Sequence, residues 1–206
     1  MISLFIDTSI SFPTISLVKD NRVLFNFQEE IKSDMSSKIL PIIDLILQKS
    51  NLSIKSINKI FVVTGPGSFT GVRIGVTIAK TIAWSLNIPV VPISSLEYMA
   101  TATTNKKYLV SMIDARRENV FAGIYDINLN CIKEETLINK NELLKGINYS
   151  DYELLSYDNF EDTIKPIPNV LKIINKYINN NGVNPHNLKP NYLKLTEAEE
   201  NRLKND

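Results

Sequence analysis

A glycine-dense loop running straight into a helix is the segment of this chain best placed to do chemistry. Residues Gly65-Pro66-Gly67-Ser68-Phe69-Thr70-Gly71-Val72-Arg73-Ile74-Gly75 follow the apolar run Ile60–Thr64. A helix N-terminus preceded by glycines offers unpaired N–H groups and a positive dipole end to an anion, which makes Gly65, Gly67 and Ser68 candidates for a phosphate site. The spacings match neither of the two common nucleotide loops. A Walker A loop starting at Gly65 needs glycine, lysine and a hydroxyl residue where Thr70, Gly71 and Val72 stand. A dinucleotide fingerprint needs a third glycine at Thr70. The structural alternative is a tight strand-to-helix turn, with Gly65 or Gly67 at positive φ and Ser68 or Thr70 as the helix cap.

Other catalytic chemistry is sparse. Cys131 and His186 are the only cysteine and histidine. An intrachain disulfide is therefore excluded, and transition-metal sites and Ser-His-Asp or Cys-His catalysis become poor readings. Asp114, Arg116 and Arg117 form a polar cluster read as a solvated hairpin. Arg73 either pairs with a partner carboxylate or is a solvated helix charge. The formal charge is +1 over 206 residues, so an independent nucleic-acid grip is not expected. No apolar run reaches the ~18 residues of a membrane span, and Met1–Ser9 lacks a basic region; the expected location is cytoplasmic.

The elements that position these residues read clearly. Ile2–Ile6, Thr14–Lys19 and Arg22–Phe27 predict an antiparallel meander. Ser33–Ser50 carries Ile39, Ile42, Ile43 and Ile46 at helical spacing, with Pro41 either near the helix start or kinking its first turn. Ile60–Thr64 predicts a buried strand, Phe69–Leu86 a long helix, Pro89–Pro92 a strand, and Ser94 or Ser95 the cap of a short helix. This β-β-β-α-β-α-β-α order is the ribonuclease H-like unit of actin and sugar kinases. Past the junction at Asn105, strands at Tyr108–Ile113, Val120–Tyr125 and Cys131–Leu137 and a helix at Val170–Ile178 make a trimmed second copy, ahead of a Glu/Lys-rich tail from Thr196 read as a short or frayed helix. The expected fold is α/β, actin-like (ASKHA, ribonuclease H-like), of two lobes, the second abbreviated. Residues 1–104 carry the glycine loop and the first two helices, and residues 105–206 the smaller lobe. Actin-like ATPases hold a metal-phosphate aspartate where Asp7 closes the first strand, with Thr8 and Ser9 as hydroxyl donors. The alternative makes Asp7 a cap on turn N–H groups and the nucleotide candidates vestigial.

Helix Phe69–Leu86 is apolar over most of its circumference. Gly71, Gly75, Ala79 and Ala83 form a row of minimal side chains, with Ile74, Ile78, Ile82 and Leu86 beside it. A surface helix buries one stripe of roughly 100°, so this one is expected to meet its own sheet and something more, either a helix of the same chain or a partner subunit. On the partner reading, Gly75→Leu or Ala79→Glu leaves the lobe folded and blocks assembly.

Together these motifs resemble the TsaB (YeaZ) family of bacterial tRNA-modification proteins. The carrying residues are Ile6-Asp7-Thr8-Ser9, Ile39-Leu40-Pro41, the long Gly65–Gly75 motif, Ser94-Ser95-Leu96, Ile113-Asp114-Ala115-Arg116 and Pro190-Asn191-Tyr192-Leu193. The resemblance implies a subunit without catalytic or metal-binding residues of its own. Its implied partner is a TsaD-like large subunit that modifies adenosine 37 of tRNAs reading ANN codons, and a TsaE-like ATPase joins the pair. It also implies a homodimer, tRNA contact only through the complex, no membrane, and no cofactor on this chain, ATP and Mg entering at the level of the complex. The implied interface lies on the first two helices, at Met35, Ile39, Ile42, Ile43, Ile46, Val72, Arg73, Ile74, Gly75, Ile78, Ala79 and Ile82. Met35 replaces a histidine frequent in the family, so any role of that histidine is lost. The alternative function is an autonomous actin-like ATPase or small-molecule kinase.

Overall fold

The computed structural model describes residues 1–193; the expected helix beyond Thr196 lies outside the described residues. Strands β1 (Ile2–Asp7), β2 (Thr14–Lys19) and β3 (Arg22–Gln28) form the antiparallel meander. The turn from β2 to β3 places Asp20 and Asn21 at φ 45° and 64°, the left-handed pair that a two-residue hairpin requires. Helix α1 (Met35–Lys49) leads to β4 (Lys59–Gly65), α2 (Phe69–Leu86), β5 (Val90–Ser94) and α3 (Ser95–Met99). Pro41 sits in the second turn of α1, later than the sequence reading placed it. There it removes the N–H that would bond the Ser37 carbonyl and sets its ring against that carbonyl.

The first sheet runs β3-β2-β1-β4-β5, with β4 parallel to both β1 and β5. The second contains β6 (Tyr108–Asp114), β7 (Asn119–Asp126), β8 (Cys131–Asn139) and β9 (Tyr152–Leu155), ordered β8-β7-β6-β9. It repeats the order of the first sheet and stops one strand short. Two of its elements escape the sequence reading, the six-residue helix α4 (Lys140–Lys145) and the four-residue β9. Both are too short to show periodicity. A local signal for α4 was present in Asn139, whose side chain accepts the Asn141 and Glu142 N–H groups. Helix α5 covers Val170–Lys176 and ends two residues earlier than expected.

Alternation along the strands sorts side chains into layers. Leu4, Ile6, Ile60 and Val62 face α1 and α2. Phe5, Phe61 and Val63 face the opposite way, into a core shared with α3, α5, Leu109 and Tyr125. Val110, Met112 and Ala122 close the outer face of the second sheet over Leu143 of α4. The segment after α5 returns to the first sheet. Val183 bridges Val90, Leu188 is buried in the α1–α2 core, and the Asn191 N–H donates to the Thr64 carbonyl at 2.7 Å. Among the described residues no helix is long and apolar enough to cross a membrane.

Candidate functional site

The glycine loop closes onto the end of β1. Gly65 and Gly67 adopt φ 110° and 156°, and a side chain on either would strike backbone. A Cβ at Gly67 would stand 2.6 Å from the Ser9 carbonyl oxygen, and one at Gly65 would stand 2.9 Å from that of Asn191. The Ser68 N–H donates to the Ser9 carbonyl at 2.8 Å, and the Ser68 Oγ accepts the Gly71 N–H at 3.2 Å, so Ser68 is the cap. Thr8 is fully buried, and its hydroxyl donates to the Gly71 carbonyl at 2.7 Å. The turn is therefore packed against the chain's own β1 end and C-terminal segment through Gly65, Gly67, Ser68 and Thr8.

Asp7 follows the same logic. Its Oδ1 accepts the Ser9 N–H at 2.8 Å and the Ser9 hydroxyl at 2.7 Å. Burial pushes its carboxyl above the ordinary aspartate range, outweighing the two bonds from Ser9. The environment thus disfavours the carboxylate, the form a metal would need. Asp114, closing the equivalent strand of the second sheet, repeats the device by accepting the Arg116 N–H at 2.9 Å, but it is exposed. Among the described residues no three His, Cys, Asp or Glu side chains group as a metal site.

A raised pKa favours the protonated form in the fold. Its contribution to stability is present below the unfolded value, about 4, and is lost as pH rises through the folded value. Asp7→Asn is therefore expected to melt higher than the parent at about pH 7 and to lose that advantage towards about pH 4. Thermal unfolding of both proteins across this range checks it. A variant less stable than the parent at neutral pH would mean that Asp7 is held charged.

The two helices divide the residues expected at a partner interface. Ile39, Ile43, Ile46, Val72, Gly75, Ile78, Ala79 and Ile82 lie in the chain's own core. Met35, Ile42 and Ile74 are half-buried against it. The row Gly71, Gly75, Ala79 and Ala83 lies over β1: side chains at Gly71 and Gly75 would collide with the Thr8 carbonyl and hydroxyl oxygens. The expectation that this row admits a partner backbone is corrected, because its close approach is used within the chain.

What α2 shows to solvent is different. Arg73 lies 3.7 Å from the Phe69 ring centroid and donates from Nε to the Tyr192 hydroxyl at 2.8 Å, while the Phe69 and Tyr192 rings stack at 5.6 Å. Arg73 is thus held by two aromatic side chains of its own chain and is not simply a solvated helix charge. Between α1 and α2 runs an open groove lined by Ser36, Leu40, Phe69, Ile74, Thr77 and Ile78. Leu40 and Phe69 are 54% and 48% exposed. The sequence reading missed Leu40 and Phe69 because both fall outside the helical rows it followed.

Two sheets of one strand order, each with an aspartate closing its central strand, define an actin-like α/β protein of the ribonuclease H-like class. The family model of TsaD, tRNA N6-adenosine threonylcarbamoyltransferase, matches residues 29–188. The chain is 33% identical to the tRNA threonylcarbamoyladenosine biosynthesis protein TsaB of Bacillus subtilis, over 97% of this chain and 96% of that protein. It is 35% identical to TsaB of Escherichia coli over 62% of this chain and 56% of the relative. YeaZ from Pseudomonas aeruginosa shares the fold, with a TM-score of 0.79 at 21% identity over 93% of this chain and 99% of that one. The chain belongs to the TsaB (YeaZ) family of tRNA threonylcarbamoyladenosine biosynthesis proteins.

Proposed function

We propose that this chain is the non-catalytic small subunit that pairs with a TsaD-type transferase in making threonylcarbamoyladenosine at position 37 of tRNAs reading ANN codons. A TsaE-type ATPase joins the pair, and the chain alone forms a cytoplasmic homodimer. The observation that carries this reading is the apolar groove between α1 and α2, whose lining leaves Leu40 and Phe69 half in water. A patch of this kind on a folded protein is a docking site more often than an accident. Residues 1–104 supply the partner-facing helices, and residues 105–206 the second lobe.

Support for a non-catalytic role comes from chemistry the chain cannot assemble. One histidine in 206 residues cannot form the metal-holding histidine pair that the resemblance implies for the TsaD-like large subunit, and the β1 end that an actin-like ATPase opens to phosphate is closed here by Ser9, Gly67 and Gly71. The test is to titrate the free chain with ATP and magnesium, and then to reconstitute modification of an unmodified tRNA with and without it. The free chain is expected to show no turnover, and modification to depend on its presence. Robust turnover abolished by Asp7→Ala would overturn the proposal in favour of an autonomous ATPase or kinase.

A further inference from the structure

The distribution of acidic residues in this chain is uneven in a way that net charge conceals. No aspartate or glutamate occurs between Leu45 and Leu96, nor between Thr163 and Leu193. The fold brings these two acid-free stretches together. Helix α2 comes from the first, and the segment Gly182–Leu193 from the second lies along it: Lys80 Nζ donates to the His186 carbonyl at 3.0 Å, and Arg73 to Tyr192.

On the outer face of α2, Arg73, Thr77, Lys80 and Trp84 stand at i, i+4, i+7 and i+11, a single stripe about 16 Å long. Trp84 is 63% exposed and meets only the edge of His186. Lys189 and Tyr192 border the stripe across a second groove, which also takes in Arg73, Thr77 and Lys80. Phe69 and Tyr192 flank Arg73 at one end, and Trp84 closes the other. Cations interleaved with exposed aromatics along a face to which the described lining residues bring no carboxylate are the elements of a nucleic-acid contact: ammonium and guanidinium groups for phosphates, flat rings for bases. A protein docking site would more often deplete lysine from such a face.

We infer that the stripe Arg73-Thr77-Lys80-Trp84, with Lys189, contacts the phosphate backbone and one unstacked base of the tRNA held by the assembled complex. This rests on the proposed subunit role. The stripe adjoins the α1–α2 groove through their shared Arg73 and Thr77, which sets it beside a partner seated in that groove. Three cations cannot hold RNA unaided, and the near-neutral chain is not expected to bind tRNA alone. Its contribution is an increment to binding by the complex.

The experiment measures binding of an unmodified tRNA transcript to the reconstituted complex of this chain and the transferase over a series of salt concentrations. The parent is compared with Lys80→Ala/Lys189→Ala and with Trp84→Ala, and assembly of each variant is verified first by co-purification. The double lysine variant is expected to assemble normally and to lower the magnitude of the salt slope by about two. Trp84→Ala is expected to weaken tRNA binding roughly tenfold with the slope unchanged. Normal assembly with unchanged affinity and slope would overturn the inference and leave the subunit role standing. Loss of assembly in these variants would overturn it too, by identifying the stripe as a protein contact. Failure of the parent itself to assemble would overturn the subunit role and the inference together.

Discussion

Ala79→Glu is expected to unfold the free chain, not merely to release a partner. Ala79 has no exposed surface, and α2 rests there on the first sheet beside Ile6 and Ile60. A glutamate at that position must bury a carboxylate that no basic side chain faces in the small row. Leaving a buried charge unpaired costs about 3–5 kcal/mol, and forcing extra volume into a packed core adds roughly 1–3 kcal/mol. Together these approach the whole stability of a typical domain, about 5–15 kcal/mol. Gly75→Leu should act in the same direction, because its side chain has no path past Thr8. Circular dichroism with thermal melting of the free variants is the measurement. An Ala79→Glu protein that melts within a few degrees of the parent, where 1 kcal/mol is worth about 2–4 °C at this size, would return the small row to the surface and sink the packing argument.

This outcome is the reverse of what the sequence predicts on the partner reading, and the reason is physical. The four-residue repeat of Gly71, Gly75, Ala79 and Ala83 reveals that something approaches α2 closely, but helical spacing carries no information on what does so. The approaching group is the turn after β1, and only the strand order places that turn beneath the helix. The meander, the two parallel crossovers and the trimmed second repeat were legible because each rests on local periodicity and turn residues. The glycine loop was legible as a turn for the same reason. Its closure by Asn191 was not, since a contact between residues more than a hundred positions apart leaves no local trace. The same limit hid the role of Arg73, whose stacking on Phe69 could be read from spacing while its bond to Tyr192 could not. Likewise β9 has only four residues, and its place in the sheet comes from pairing with β6.

Leu40→Asp should do the opposite of Ala79→Glu, leaving the free chain folded and abolishing its associations. Leu40 is 54% exposed on α1, so an aspartate there stays in water, and substitutions at such positions usually change stability by only about 0.5 kcal/mol. In an assembly built on the α1–α2 groove the same carboxylate is desolvated among the apolar side chains of Phe69, Ile74 and Ile78. A penalty of roughly 3 kcal/mol weakens an interface more than a hundredfold. On the proposed function both a homodimer and the pairing with the transferase subunit draw on this groove, so light scattering of the free variant should show a monomer, and co-purification with the large subunit should fail. Thr77→Ala, on the same groove but removing only a small exposed side chain, should leave both intact and serves as the control. If Leu40→Asp melts like the parent and still pairs with the large subunit at the parent's affinity, the groove is not the docking surface. The contact would then have to be sought on the adjoining stripe of α2, where the Lys80 and Trp84 variants distinguish a protein contact from an RNA contact.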